Sequence, residues 1–427
     1  MHHKSRNKLT AAVVSALTAG SVATIGAVAV PAGASAPVSF TYWTSGFSPA
    51  EIATVDKDFN ASHPQYKVTG SYIAKSDEFL PKVISALKTG TQPTVVMDQQ
   101  PYDLPLYQES GKLMPLTGKL AALTKQLYPG IRTSLFYRGQ QLGMALSGAG
   151  DIALFYNKSD FAKAGIKSPP STWAQLEADA MKLTDPAAKR WGFYVPMGDA
   201  EWISYDWEPV LWGDGGHLVN ANQTKAAWDS AAGVKALTAW VNMIRKDKSA
   251  PPTSFAAGGN FDGPTAFSSN AVAMITDGPW LEGEVPSSLE YGVAPYPAGT
   301  HGPSTNIGIA VAALFKTTPA EDRAGLALIK FLASPKQGAY LAEQSGGLPD
   351  SAAQLGQPLL KKAESNKWYH VFANEERSGQ VRPLNPNWAG ASADLYTEIS
   401  DALAGKVSPA KALSTAAKQA DAALSKS

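Results

Sequence analysis

The run Ser39-Phe40-Thr41-Tyr42-Trp43-Thr44-Ser45-Gly46-Phe47-Ser48-Pro49-Ala50-Glu51-Ile52 decides how the chain folds. Its first part, Ser39 to Trp43, is short and apolar-rich and predicts a strand. Ser48-Pro49-Ala50-Glu51 then supplies an N-cap, a proline at the first helical position and the acidic partner of a capping box. Ile52, Val55 and Phe59 follow at helical spacing until His63-Pro64 ends the pattern. The grammar repeats at once. Tyr66 to Tyr72 reads as a second strand, Leu80, Val83, Ile84 and Leu87 form the buried stripe of a second helix ending near Gly90, and Thr94 to Met97 begins a third strand. Alternation of this kind predicts an α/β fold with parallel pairing. Helix starts recur at Thr172-Trp173-Ala174-Gln175, Thr318-Pro319-Ala320-Glu321, Ser334-Pro335-Lys336-Gln337 and Ser408-Pro409, so helices are spread along the whole chain. There is no fixed-period repeat, and the Ala/Lys/Ser-rich C-terminal stretch reads as an amphipathic helix with an exposed face.

Ahead of the first strand lies a targeting segment. His2, His3, Lys4, Arg6 and Lys8 form a basic start, Leu9 to Val30 carries no charge, and Ala34-Ser35-Ala36 has the small-x-small pattern of a signal-peptidase site. Cleavage there leaves a mature chain beginning at Pro37, outside the cytoplasm. An uncleaved anchor is the competing reading, but the Ala/Gly/Thr content is weakly apolar and the cut site is good. No cysteine follows to carry a lipid and no arginine pair precedes the apolar run, so general secretion in unfolded form is expected.

Composition narrows the function. With 427 residues, 37 basic against 36 acidic side chains and no cysteine, the chain is no strongly charged nucleic-acid or membrane-surface binder and no disulfide-stapled or cysteine-metal module. Its length and 44% hydrophobic content suit two lobes. Eleven Trp, 15 Tyr and 14 Phe supply flat apolar faces whose clustering then matters. No phosphate loop, nucleophile elbow or H-E-x-x-H motif occurs, and Gly148-Ala149-Gly150 lacks the third glycine of a dinucleotide fingerprint. ATP, NAD and zinc chemistry lose their usual support, and no cofactor or metal is expected. His63, His217, His301 and His370 are well separated and read as surface or loop residues rather than ligands.

The densest aromatic and acidic stretch holds Asp199, Glu201, Trp202, Tyr205, Asp206, Trp207, Glu208, Trp212 and Asp214. Carboxylates accept hydrogen bonds from sugar hydroxyls, and indole faces pack on the C–H face of a pyranose. A glycosidase would need the same residue types, with two carboxylates across a scissile bond. The plainer alternative makes Trp202 and Trp212 core residues of one helix face and leaves the acids solvated.

The sequence resembles the extracellular solute-binding proteins of ABC importers, the maltose-binding-protein-like family. The likeness is carried in order by Phe40-Thr41-Tyr42-Trp43, Leu87 to Val96, Leu142 to Leu146 with Leu154 to Lys158, and Ala164-Gly165-Ile166 with Pro169 to Trp173. It continues through Ala273 to Trp280, Tyr291 to Pro297, and Ser345-Gly346-Gly347-Leu348-Pro349.

The resemblance implies a two-lobed α/β periplasmic-binding-protein fold whose lobes are joined by crossing segments and close around a ligand. It implies an N-terminal lobe of 37–150 plus 293–357 and a C-terminal lobe of 151–292 plus 358–427, after the 1–36 signal peptide. The crossings are expected near Ala149 to Ala153, Tyr291 to Ala294 and Leu355 to Leu360. The family's ligand positions fall on Trp43 and Ser45 after the first strand, on Asp98, Gln99 and Gln100 after the third, and on Asp151 at the first crossing. The second lobe's aromatic wall looks like Trp202, Trp207 and Trp212, with Trp280 as the indole of the Gly-Pro-Trp element. Weaker matches are Asn306, before Ile307-Gly308 where relatives often have paired glycines, and Trp388 in the loop Asn385-Pro386-Asn387-Trp388. The implied protein is not an enzyme. It is a monomer that binds a carbohydrate, meets the membrane permease subunits of an ABC importer and does not bind nucleic acid. Another polar solute on the same scaffold, such as a glycerol phosphodiester, polyol or thiamine-like molecule, and a secreted glycoside hydrolase are the alternatives. A phosphate ligand would need a cleft Arg or Lys, and the residues matched above include none.

Overall fold

The computed structural model describes residues 36–73, 76–150, 152–197, 200–252, 263–344, 347–363 and 368–426. The leader lies outside the described residues. Among the described residues no helix is long and apolar enough to cross a membrane.

The first strand, β1 (Val38–Thr44), buries Phe40, Tyr42 and Thr44 on one face, the period of two expected of a half-buried strand. It pairs in parallel with β2 (Tyr66–Tyr72) and with β3 (Val95–Gln99). Between β1 and β2 the helix Pro49–Ser62 starts on the expected capping box, with Glu51 N–H donating to Ser48 Oγ at 3.3 Å and Ser48 N–H to the Glu51 carboxylate. Ile52, Val55 and Phe59 are its buried stripe. Phe59 meets Phe40 edge to face at 5.9 Å and Phe331 at 5.6 Å, which ties this helix to the helix Pro319–Leu332.

A small hairpin of β4 (Phe136–Tyr137) and β5 (Gln140–Gln141) leads into β6 (Met144–Gly150), and the chain then changes sheets. The second sheet contains β7 (Ala153–Asn157), β8 (Trp191–Phe193), β9 (Val272–Asp277) and β10 (Tyr291–Ala294), in the order β10-β7-β9-β8. The chain returns to the first sheet with β11 (Thr305–Leu314), which runs antiparallel between β3 and β6 and pairs at its start with β12 (Gly379–Gln380). The sheets therefore exchange the chain between Gly150 and Ala153 and again between Ala294 and Thr305.

Val293 and Ala294 pair with Phe155 and Leu154 in the second sheet. Leu360 packs on Ala339 and Ala342 of the helix Pro335–Gln344, and the chain visits the first sheet again at β12. Only then do the helices Trp388–Leu403 and Pro409–Leu424 join the second core. The physical reason is pairing: β12 has a partner for its backbone groups only along β11.

Each sheet has its own core. Tyr42, Val55, Phe59, Val95, Val96, Leu314 and Leu328 are all fully buried around the first. Every residue of β9 is buried, as expected of a strand covered on both faces. One side carries Trp207, Trp228, Trp240 and Trp388, all at 0% exposure, and the other carries Phe155, Phe267, Leu281 and Phe372.

Candidate ligand-binding site

The carboxyl ends of parallel neighbours β1 and β3 lie side by side, because Trp43 is in register with Val96. Such edges are where open α/β sheets receive ligands. Trp43 and Ser45 are half-buried there, and Lys82 Nζ stands 5.1 Å from the Trp43 ring centre. Asp98 and Gln99 end β3. Gln100 follows, with its side-chain oxygen accepting the Ile309 N–H at 3.4 Å. Because β11 runs antiparallel to β3 with Val311 opposite Gln99, Asn306 to Ile309 extend past the end of β3 and continue this edge.

From that edge a chain of polar contacts reaches the second lobe. Asn306 donates to Glu208 at 3.0 Å, and Glu208 lies on the helix Glu201–Gly213. This helix is buried at every position from Ile203 onward, although it contains Asp206 and Glu208. Arg382 supplies the charge that permits it. Its Nε donates to Glu208 at 3.0 Å, its Nη2 lies 2.8 Å from the other Glu208 oxygen and 3.2 Å from Ser204 Oγ, and its Nη1 pairs with Glu201. The guanidinium is also sandwiched by rings, 4.7 Å from Tyr205, 5.1 Å from Tyr102 and 5.8 Å from Trp388. Tyr102 follows β3 and Tyr205 belongs to the buried helix, so Arg382 sits where the two lobes meet.

Burial dominates the proton affinities here. It pushes Glu208 up to about 7 against the lowering pull of Arg382, and it pushes Asp103 up to about 7 although the Gln100 N–H donates to that carboxyl. Arg382 loses water, yet Glu208 and Glu201 hold it charged and raise it well above its ordinary value.

The second feature is an indole pair. β9 ends at Asp277, and Gly278-Pro279 opens the short 3-10 turn Pro279–Gly283. The Trp280 ring folds back over Gly278: a Cβ built there would lie 2.2 Å from it, so this close approach needs glycine. Trp202 meets Trp280 edge to face at 6.2 Å and lies tilted against Tyr205 at 5.4 Å. Trp202 and Trp280 are both half-exposed. Beneath them, buried Asp277 accepts the Gly278 N–H at 2.7 Å. Burial, and then the nearby Asp206, push the Asp277 carboxyl well above the usual carboxylate range.

The profile of the family described as Bacterial extracellular solute-binding protein matches residues 44–339. The chain belongs to this family. A putative binding protein of Brucella abortus (strain 2308) is 26% identical over 299 residues, covering 67% of this chain and 69% of the relative. The sn-glycerol-3-phosphate-binding periplasmic protein UgpB of Brucella suis is 26% identical over 366 residues, 79% of each chain. The ABC substrate-binding protein of Listeria monocytogenes solved with cycloalternan superimposes at a TM-score of 0.80 with 22% identity, covering 90% of this chain and 98% of that one. That similarity carries the two-lobed fold.

Within this solute-binding protein the expected site residues divide. Trp202 and Trp280 come together, and Gln100 joins the edge formed by β11. Trp207 and Trp388 do not line a cavity wall: both are fully buried core residues, because they lie on the faces of their helices that pack over the second sheet. Trp212 is 7% exposed and borders a cavity of about 260 Å³ with Thr133, His217 and Gln380. Asn306 is buried and committed to Glu208. Asp151 lies outside the described residues. The acids of the aromatic stretch are not all solvated either, since Asp206 is held by Thr276 at 2.8 Å and Glu208 by Arg382. Arg382 is the residue that sequence reasoning missed. Its partners stand 174 and 181 positions away, and the only local signal was a lone arginine before Pro383 in a loop leading to Trp388.

Proposed function

We propose that this solute-binding protein captures a sugar or short oligosaccharide between its lobes, closes on it and delivers it to the permease subunits of an ABC importer. Export with cleavage after Ala36 would place it outside the cytoplasm for that task. The observation that carries the reading is the half-buried pair Trp202–Trp280, whose edge-to-face packing steadies the Trp280 ring as a flat apolar platform. A pyranose has an apolar C–H face for such a ring and a rim of hydroxyls for hydrogen-bonding groups around it. A rigid wall loses little side-chain freedom when ligand arrives, so more of the stacking energy remains as affinity.

Two observations favour a second reading, a phosphate-bearing solute: the buried Arg382 and the name of the Brucella suis relative. Against it, Arg382 is already bidentate to Glu208 and paired with Glu201. One guanidinium facing two carboxylates offers an incoming anion no net positive charge.

A thermal-shift screen of sugars and polyols, with calorimetry on the hits, tests the proposal. Binding of at least one neutral sugar, recovered chemically unchanged, is expected. A panel that stabilises nothing while sn-glycerol 3-phosphate does would transfer the assignment to the second reading. Hydrolysis of the sugar would make the protein a glycosidase.

A further inference from the structure

Arg382 is an unusual residue to find beside a site for neutral ligands. Its side chain is 1% exposed, and its partners differ sharply from one another: Glu208 is at 0% and Glu201 at 47%. Glu208 makes the two-point contact and also receives Asn306, so it belongs to the structure that holds the helix Glu201–Gly213 against β11. Glu201 binds the remaining corner of the guanidinium, Nη1, from the solvent side, and is steadied there by Ser392 Oγ at 2.9 Å. The indole pair is close by, since the Tyr205 ring lies 4.7 Å from the guanidinium and 5.4 Å from Trp202. The only carboxylate that can leave without stripping Arg382 of its buried partner is therefore the one that covers it next to the indole pair.

We propose that Glu201 is a specificity-determining residue: it screens Arg382 from the ligand crevice and so rejects phosphate-bearing and other anionic solutes. The inference rests on the proposed binding of a neutral sugar and adds the means by which anions are refused. The chemistry is direct. Guanidinium N–H groups bind phosphate in the same in-plane geometry in which they bind carboxylate. With Glu201 seated, Nη1 is occupied and a phosphate would face two carboxylates around one cation. With Glu201 shortened, Nη1 faces the vacated space while Glu208 keeps the guanidinium paired and buried. The side chains of Tyr102 and Tyr205 would continue to hold its plane.

The test uses the mature full-length protein and two probes, sn-glycerol 3-phosphate and inorganic phosphate, with glycerol as the uncharged control. Calorimetry on the parent chain should give no heat with either anion. Glu201→Ala should bind sn-glycerol 3-phosphate at least ten-fold more tightly than the parent, with an affinity that falls as salt rises. Glu201→Gln, which removes the charge but keeps the volume, should gain less. Glu201→Ala combined with Arg382→Gln should lose the gain, and near-ultraviolet circular dichroism reports whether each variant keeps its packing. No anion binding in folded Glu201→Ala and Glu201→Gln overturns the inference, as does tight phosphate binding by the parent chain. Failure of the parent to bind any neutral sugar would instead count against the proposed function, because the anion gain in Glu201→Ala is read independently of it.

Discussion

Replacing Trp280 by alanine should weaken sugar binding about 70-fold and leave the fold almost untouched. The magnitude follows from where the indole stands. The ring lies over the backbone at Gly278 and packs edge to face with Trp202, so the proposed ligand would stack on the face turned away from Gly278. A pyranose laid on it covers about 100 Å² of apolar surface, and at about 25 cal/mol per Å² this contributes about 2.5 kcal/mol. That energy is the 70-fold. Folding stability should fall by only about 1 kcal/mol, because a half-exposed side chain leaves no sealed cavity. Calorimetric affinity for the best sugar from the screen and a urea midpoint, both on one preparation, measure the two quantities. Gly278→Ala is a useful companion: its new methyl would overlap the ring and push the indole aside, so affinity should fall although no aromatic group is lost. A Trp280→Ala protein whose affinity is unchanged within two-fold and whose midpoint collapses would refute the reasoning, and would place the indole in the core with Trp207.

Trp207→Ala should show the opposite balance, costing about 3–5 kcal/mol of stability by urea denaturation, since the ring is wholly enclosed in the second core. Asp350 is buried, and burial pushes its carboxyl up to about 7. Its pKa is higher folded than unfolded, so its contribution is fully present below about pH 4 and is lost as pH rises to about 7, on the order of 4 kcal/mol. Asp350→Asn should flatten that part of the stability–pH curve measured by denaturant titration, and an unchanged slope would exclude Asp350 as its source. Solution scattering should show a smaller radius of gyration with saturating sugar than without it. Superimposable curves would contradict closure.

Much of the architecture is legible in local sequence because its signals are local. The capping boxes at Ser48 and Thr318 and the caps at Thr172 and Ser408 form as their residue types predict, since each needs only four neighbouring residues. Tyr66–Tyr72 is the predicted second strand to the residue. The site was less legible for a physical reason. A tryptophan on a cavity wall and one in a core are the same residue, and Trp202 and Trp207 differ only in which side of one helix they occupy. That helix packs on more than one side, so helical periodicity does not mark an outward face. Arg382 was harder still, because an arginine's role here depends on two glutamates and three rings that only the tertiary structure gathers.

The position of β11 also constrains how the protein is made. β6 and β12 each pair in the first sheet only with β11, and β3 gains its second neighbour from it. During synthesis the first sheet therefore lacks the strand that joins β3 to β6 and β12 until Leu314 has emerged, and the first lobe cannot complete its core before most of the chain is available. Pairings across such long separations form slowly. If the proposed export runs through an unfolded chain, the same strand order would delay closure of the first sheet until translocation is well advanced.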